Sequence, residues 1–184
     1  MLKKPGIGIV KNQDILENQA KIAYLGIGSN LGNRKANIER AKFLLSVSNI
    51  KIVKTSSYYE TESFPYKKFP KYLNVSIETK TFLKPDKMFK ILKSIEKKLG
   101  RKRTKKNYPR TCDIDILDYD NKTLSINVDK QILTIPHPRM HKRNFVLLPL
   151  FEISKKWYHP SKKQKISQLL SNFKNIELRS IKIV

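Results

Sequence analysis

Two aspartates, Asp113 and Asp115, stand one residue apart in the alternating segment Cys112-Asp113-Ile114-Asp115-Ile116. Period-two alternation in a strand puts both carboxylates on one face and Cys112, Ile114 and Ile116 on the other. A cationic stretch leads into this segment. Six of the ten residues from 101 to 110 are basic: Arg101, Lys102, Arg103, Lys105, Lys106 and Arg110. Paired carboxylates offer oxygen ligands to Mg2+, and guanidinium forks match phosphate oxygens, so the stretch suits a metal–polyphosphate complex. The wet face of a half-buried sheet also alternates, and basic loops are ordinarily solvated. Spacing alone leaves both readings open.

The segments around this stretch supply elements to hold it. IAYLGIG, from Ile22, alternates as a strand and breaks at Gly28-Ser29-Asn30-Leu31-Gly32, where the glycines mark a strand end and a tight turn. Asn33 suits a helix cap, and Ala36, Ile38, Ala41, Leu44 and Leu45 form one apolar helical face up to Val47. Ile50–Tyr59, rich in β-branched and aromatic residues, predicts a strand. The stretch from Glu60 to Lys71 carries Pro65 and Pro70 and predicts a long loop. Tyr72–Phe82 alternates as a strand, with Asn74 on the face opposite Leu73, Val75 and Ile77. Pro85 opens a second helix with a core stripe of Met88, Leu92, Ile95 and Leu99, and Gly100 closes it. Beyond the aspartates come a turn at Asp120-Asn121, a return strand near Thr123–Val128, an apolar segment FVLLPLF, a short helix around Ile166–Phe173 and a last strand over Glu177–Val184.

This order gives a β-α-β-β-α-β core. The predicted fold class is α+β: a ferredoxin-like α/β sandwich with two helices on one face of an antiparallel sheet, and C-terminal additions. Residues 1–20 read as an N-terminal extension with a short strand at Gly6–Val10, and 21–184 as a single domain.

The chain has 184 residues, enough for one domain with a proper core. Its apolar fraction of 39% and mean hydropathy of −0.51 fit a soluble globular protein. No apolar run approaches the roughly 18 residues of a membrane span, and the N-terminus lacks the apolar stretch of a secretory signal. The single Cys112 excludes an intrachain disulfide and fits a reducing cytoplasm. The net charge of +24 comes mostly from lysines scattered along the whole chain. That reads first as compositional bias and only second as a nucleic-acid footprint. Arginines are more informative: Arg101, Arg103, Arg110 and Arg143 fall in motif-like settings, with Arg139 nearby. Gly26-x-Gly28 misses the dinucleotide-binding spacing, and no phosphate-binding G-x-x-x-x-G-K-[ST] occurs.

Taken together, Gly28-Ser29-Asn30-Leu31-Gly32, Tyr72-Leu73-Asn74, Pro109-Arg110-x-x-Asp113-x-Asp115, and Pro136-His137 with Arg143-x-Phe145 resemble the 6-hydroxymethyl-7,8-dihydropterin pyrophosphokinase family over about Lys21 to Pro160. The resemblance implies transfer of the pyrophosphoryl group of Mg-ATP to 6-hydroxymethyl-7,8-dihydropterin, releasing AMP, in tetrahydrofolate biosynthesis. It implies that Asp113 and Asp115 hold two Mg2+ and that Arg101, Arg103, Lys106 and Arg110 neutralise phosphate charge. His137, Arg143, Glu96, Ile116 and Thr134 fall at nucleotide-contacting positions. Tyr72 and Phe145 are expected to sandwich the pterin, with Phe64 beside them, while Asn74 and Thr61 read its hydrogen-bonding edge. The catalytic expectation falls on Arg101, Arg110, Asp113 and Asp115.

The chain departs from the family where Asn107-Tyr108 precede Pro109 in place of an aromatic and a glycine, where Lys106 replaces a common arginine, and at Pro138, Ile132 and Glu62. Altered ATP affinity is the expected result. The loops Glu60–Lys71 and Arg101–Pro109 are expected to flank the site as lids. An RNA-binding domain would share the sandwich topology, but its aromatic strand signature is absent. A non-catalytic regulatory module would leave the arginine and aspartate constellation without purpose. The expected partners are the two small-molecule substrates, with no nucleic acid and no membrane, in a cytoplasmic monomer.

Overall fold

The alternation seen in the sequence becomes an antiparallel sheet whose two faces have different fates. A computed structural model describes residues 19–102 and 107–184. The expected strand at Gly6–Val10, together with Arg103 and Lys106, lies outside the described residues. In chain order the elements are β1 (Lys21–Ser29), α1 (Arg34–Ser46), β2 (Ile50–Thr55), β3 (Tyr59–Thr61), β4 (Tyr72–Thr81), α2 (Pro85–Lys98) and β5 (Asp113–Tyr119). Then follow β6 (Leu124–Val128), β7 (Gln131–Ile135), a 3-10 turn (Met140–Lys142), α3 (Asn144–Ile153), β8 (Tyr158–His159), β9 (Gln164–Lys165), α4 (Ile166–Ser171), α5 (Asn175–Arg179) and β10 (Lys182–Ile183).

The main sheet runs β10-β3-β4-β1-β5, and β2 also pairs with β4. All its pairings are antiparallel. The strand expected over Ile50–Tyr59 is divided, so β2 and β3 lie end to end along one side of β4. The break has a local cause. Ser56 Oγ accepts from Ser76 N, and the Glu152 carboxylate takes both Ser57 N and Ser57 Oγ, giving these groups partners outside the ladder.

One face of the sheet is fully covered. Ala23, Leu25 and Ile27 of β1 and Val75 and Ile77 of β4 meet Ile38, Ala41 and Leu45 of α1 and Met88, Leu92 and Ile95 of α2. Each of the buried Val, Leu, Ile and Met side chains among them contributes about 1.5–3 kcal/mol. Asn33 caps α1 by accepting from Ala36 N. Pro85 starts α2, and Gly100, at φ +80, follows its end.

The other face is covered only in part. Leu117 packs with Val146, Leu147 and Leu150 of α3, Trp157, and Ile166, Leu169 and Leu170 of α4. The chain is therefore layered helix–sheet–helix, one layer more than the sequence pattern predicts. Residues on the uncovered part of this face belong to the cleft described below.

Two expectations for the C-terminal half change. The return strand at Thr123–Val128 is present as β6, but it pairs with β7 in a separate hairpin and not with β5. The last strand expected over Glu177–Val184 shrinks to the two residues of β10. Its first part is α5, because Lys174 N donates to Glu177 Oε2 at 2.8 Å and closes a helical turn instead.

Candidate active site

Asp113 and Asp115 open β5, and the register places them opposite Gly28 and Gly26 of β1. Residues facing one another across strands share a face, so each carboxylate has a neighbour without a side chain. The sheet thus forms a floor with two acidic groups on it, and the side chains of Leu117 and Asn74 lean over the facing glycines. β4 adds Asn74 and Ser76 to the same floor, at the rungs of Gly28 and Gly26. A Cβ on Gly28 would stand 3.0 Å from Asn74 Oδ1, so any side chain here would push Asn74 aside by a few tenths of an ångström.

Cations surround the carboxylates. Arg101 Nη1 donates to Asp113 Oδ1 at 2.5 Å, and Arg110 Nη1 donates to Asp113 Oδ2 at 2.8 Å. Arg143 Nη1 lies 3.6 Å, and His137 Nε2 3.8 Å, from Asp115 Oδ2. Burial opposes ionisation of Asp113, but the guanidinium groups of Arg101 and Arg110 outweigh it and hold the carboxyl below its usual range. For His137 burial dominates. Asp115 pulls the other way, and the nearby Arg143 and Arg139 reinforce burial, so the imidazole stays below its ordinary value and is neutral near pH 7.

Glu96 sits behind this ring. Its Oε1 accepts from Ile114 N at 2.7 Å and from Lys93 Nζ at 2.9 Å, and lies 2.6 Å from Arg101 Nη1. Burial raises its pKa, against the attraction of Lys93 and Arg101. It is buried and lines neither cavity described here. Its observed contacts fix the start of β5 and the guanidinium of Arg101.

Asp115 stands where two cavities meet, and Asp113 lines the larger of them. The larger, about 930 Å3, has Thr61, Phe64, Tyr72, Asn74, Arg110 and Phe145 among its walls. The smaller, about 230 Å3, is walled by Ile116, Thr134, Phe89, Ile132, Leu133 and Pro138 among others. Both include Lys93, Asp115 and His137. Asn74 Nδ2 donates to Thr61 Oγ1 at 3.0 Å, which sets two of the expected edge-reading residues side by side. The Arg143 guanidinium carbon lies 5.6 Å from the centre of the Phe145 ring. Phe64 is 88% exposed at the mouth of the larger cavity.

Several contributors left little trace in the sequence pattern. Asn30 is fully buried and holds both long loops. Its Nδ2 donates to Ser63 Oγ and to Pro70 O, each at 3.2 Å, and its Oδ1 accepts from Arg110 N at 2.8 Å. The same two loops meet again where Tyr108 packs on Phe69 with ring centres 5.2 Å apart. The departure at Tyr108 therefore puts an aromatic ring into a loop–loop contact. Lys93 bridges the cavities from α2, where it reads as one more solvated lysine.

A cation-rich cleft with paired carboxylates between two unequal cavities, on an antiparallel sheet, has the features of an enzyme that transfers phosphoryl-type groups. The match to known proteins is specific. Residues 24–155 match the model of the family described as 7,8-dihydro-6-hydroxymethylpterin-pyrophosphokinase (HPPK), and the chain belongs to that family. It is 40% identical over 133 residues to the 2-amino-4-hydroxy-6-hydroxymethyldihydropteridine pyrophosphokinase of Bacillus subtilis, covering 72% of this chain and 77% of that one. The Haemophilus influenzae protein of the same name is 37% identical, with 82% and 92% covered. The folic acid synthesis protein fol1 of Pneumocystis carinii is 38% identical, but this chain spans only 20% of its length. Among solved structures, a Plasmodium falciparum HPPK-DHPS chain superposes with a TM-score of 0.72 at 17% identity. There 90% of this chain corresponds to 47% of that one, so this chain spans about half of it.

Proposed function

We propose that the chain transfers the pyrophosphoryl group of ATP to the hydroxymethyl oxygen of 6-hydroxymethyl-7,8-dihydropterin, releasing AMP. One observation carries the reading. Asp113 and Asp115 lie on one face of the sheet opposite two glycines, beside Arg101, Arg110 and Arg143; both line the large cavity, and Asp115 also lines the small one. The smaller cavity, with its apolar Ile116, Leu133 and Phe89 walls, suits a nucleobase. The larger one, with Tyr72, Phe145, Asn74 and Thr61, suits a flat heterocycle with a polar edge.

The donor set fits Mg2+ rather than a caged metal. Two carboxylates project into the cleft, and no group of three or more metal-binding side chains exists among the described residues. Magnesium binds in this way, through one or two carboxylates with substrate phosphates and water completing the shell. Asp113 and Asp115 would hold two such ions, and bound there they supply charge neutralisation along the triphosphate. The protein's own part is alignment. Arg101, Arg110 and Arg143 face the phosphates, and neutral His137 can donate or accept one hydrogen bond between the cavities. Floor and walls bring the pterin hydroxyl into line with the β-phosphorus. The new bond joins the hydroxymethyl oxygen to that phosphorus, the bond to the α-phosphate bridging oxygen breaks, and the hydroxyl proton leaves to solvent.

The frame reads as a ferredoxin-like sandwich, β1-α1-β2/β3-β4-α2-β5, with α3, α4 and α5 as additions, in one catalytic domain over 21–184. We place it in the cytoplasm as a monomer. No helix among the described residues is long and apolar enough to cross a membrane. The test is AMP release from Mg-ATP, with and without the pterin, by wild type and Asp115→Ala. Pterin-dependent AMP lost in the variant supports the reading. Pterin-independent AMP, or none from folded wild type, refutes it.

A further inference from the structure

The C-terminal segment lies beyond residues 24–155 matched to the family, yet it forms part of the larger cavity through Glu177, Ser180 and Ile181. It is anchored on both sides of that cavity. On one side β10 pairs with β3, with Lys182 opposite Glu60 and Ile183 opposite Tyr59. Val184 N extends the pairing by donating to Tyr58 O at 3.0 Å. β3 ends at Thr61, the residue that receives Asn74 Nδ2.

On the other side, Asn144 Nδ2 donates to Glu177 O at 2.7 Å, while Asn144 Oδ1 accepts from Phe145 N at 2.8 Å. One side chain thus ties the C-terminal segment to the start of the helix bearing Phe145. Phe173 and Leu178 seat the segment on the second core.

Burial does not account for the last residues, since Ile183 and Val184 are each 65% exposed. What they supply is backbone pairing to an otherwise three-residue strand. Ile181, half-buried, places an aliphatic side chain at the cavity between the two anchors.

We infer that residues 175–184 are a positioning wall for the pterin. They fix β3 relative to α3, and so Thr61 relative to Phe145, while Ile181 closes the apolar side. The inference rests on the assignment of the larger cavity to the pterin. A wall that binds ground state and transition state alike changes KM and leaves kcat alone.

The experiment compares wild type, a chain ending at Ile181, and Ile181→Ala, measuring kcat and the KM of each substrate alongside thermal unfolding. The expected result is a pterin KM raised about tenfold by truncation and about threefold by Ile181→Ala, with kcat and the ATP KM within about twofold. An unchanged pterin KM in both variants overturns the inference, as does an ATP KM that rises in step. If the truncated chain unfolds, Ile181→Ala alone decides by the same criteria. Failure of the underlying assignment looks different: wild type itself then shows no pterin-dependent turnover.

Discussion

Replacing Asn30 with alanine should damage the site from below. The side chain makes three hydrogen bonds: two from Nδ2, to Ser63 Oγ and Pro70 O, and one accepted from Arg110 N. Pro70 O keeps a partner, because Ser63 Oγ also donates to it at 2.6 Å. Arg110 N loses Asn30 Oδ1, and for a half-buried donor the cost lies at the lower end of about 1–3 kcal/mol. The space left by the amide adds to that, so the total loss is about 2–4 kcal/mol. For a chain of this size it corresponds to a fall in Tm of roughly 5–12 °C. The functional consequence follows from the Arg110 backbone, which carries the guanidinium that meets Asp113 at 2.8 Å. Asn30 N still donates to Arg110 O at 3.1 Å, so one of the two ties to the Arg110 backbone is lost and kcat/KM should fall about 10-fold. Ser63→Ala keeps the Asn30–Arg110 bond and serves as the control, with a smaller Tm loss and near-normal kcat. Differential scanning fluorimetry and steady-state AMP release read both quantities. A normal Tm and kcat/KM in Asn30→Ala would refute the claim that this amide organises the loops.

Further outcomes follow from single contacts. Gly28→Ala brings a Cβ to 3.0 Å from Asn74 Oδ1, so Asn74 must shift; the pterin KM should rise about 3- to 10-fold with the ATP KM unchanged. Burial, with smaller contributions from Glu96 and Asp113, pushes the Cys112 thiol up to about 12, so a thiol reagent at pH 8 should label it only after unfolding. His159 is held down to about 4, first by burial and then by His141 and Lys162, and its Nδ1 accepts from Lys162 N at 3.3 Å. The fold favours the neutral imidazole, so its contribution is complete above the unfolded value of about 6.5 and is lost as pH falls toward 4. The loss is up to about 2 kcal/mol at pH 5, and the Tm decline from pH 7 to 5 should flatten in His159→Gln.

The site was legible where its signal was local. Period-two alternation placed Asp113 and Asp115 on one strand face, and the structure puts them there with glycines opposite. The α2 stripe and its Pro and Gly ends likewise follow from short-range rules. What escaped depends on partners far along the chain. Asn30 looks like any polar turn residue until Ser63, Pro70 and Arg110 converge on it. Glu96 stands among exposed-looking lysines, and only the approach of β5 buries it. Leu124–Val128 has a clean strand pattern, but nothing in it specifies β7 rather than β5 as its partner. At the C-terminus a capping bond from Lys174 N makes Asn175–Arg179 helical, so the expected strand begins only at Lys182.

The contact between Tyr108 and Phe69 has a consequence in the language of linkage. It joins Phe69, in the loop that follows β3, to Tyr108, shortly before β5, and so favours arrangements in which the two rings stay together by about 0.5–1.5 kcal/mol. Any free energy by which one substrate favours the joined arrangement is then credited to the other, and by the same factor in both directions. Two occupants of separate cavities, sharing no atom, would in this way report on each other through one pair of rings.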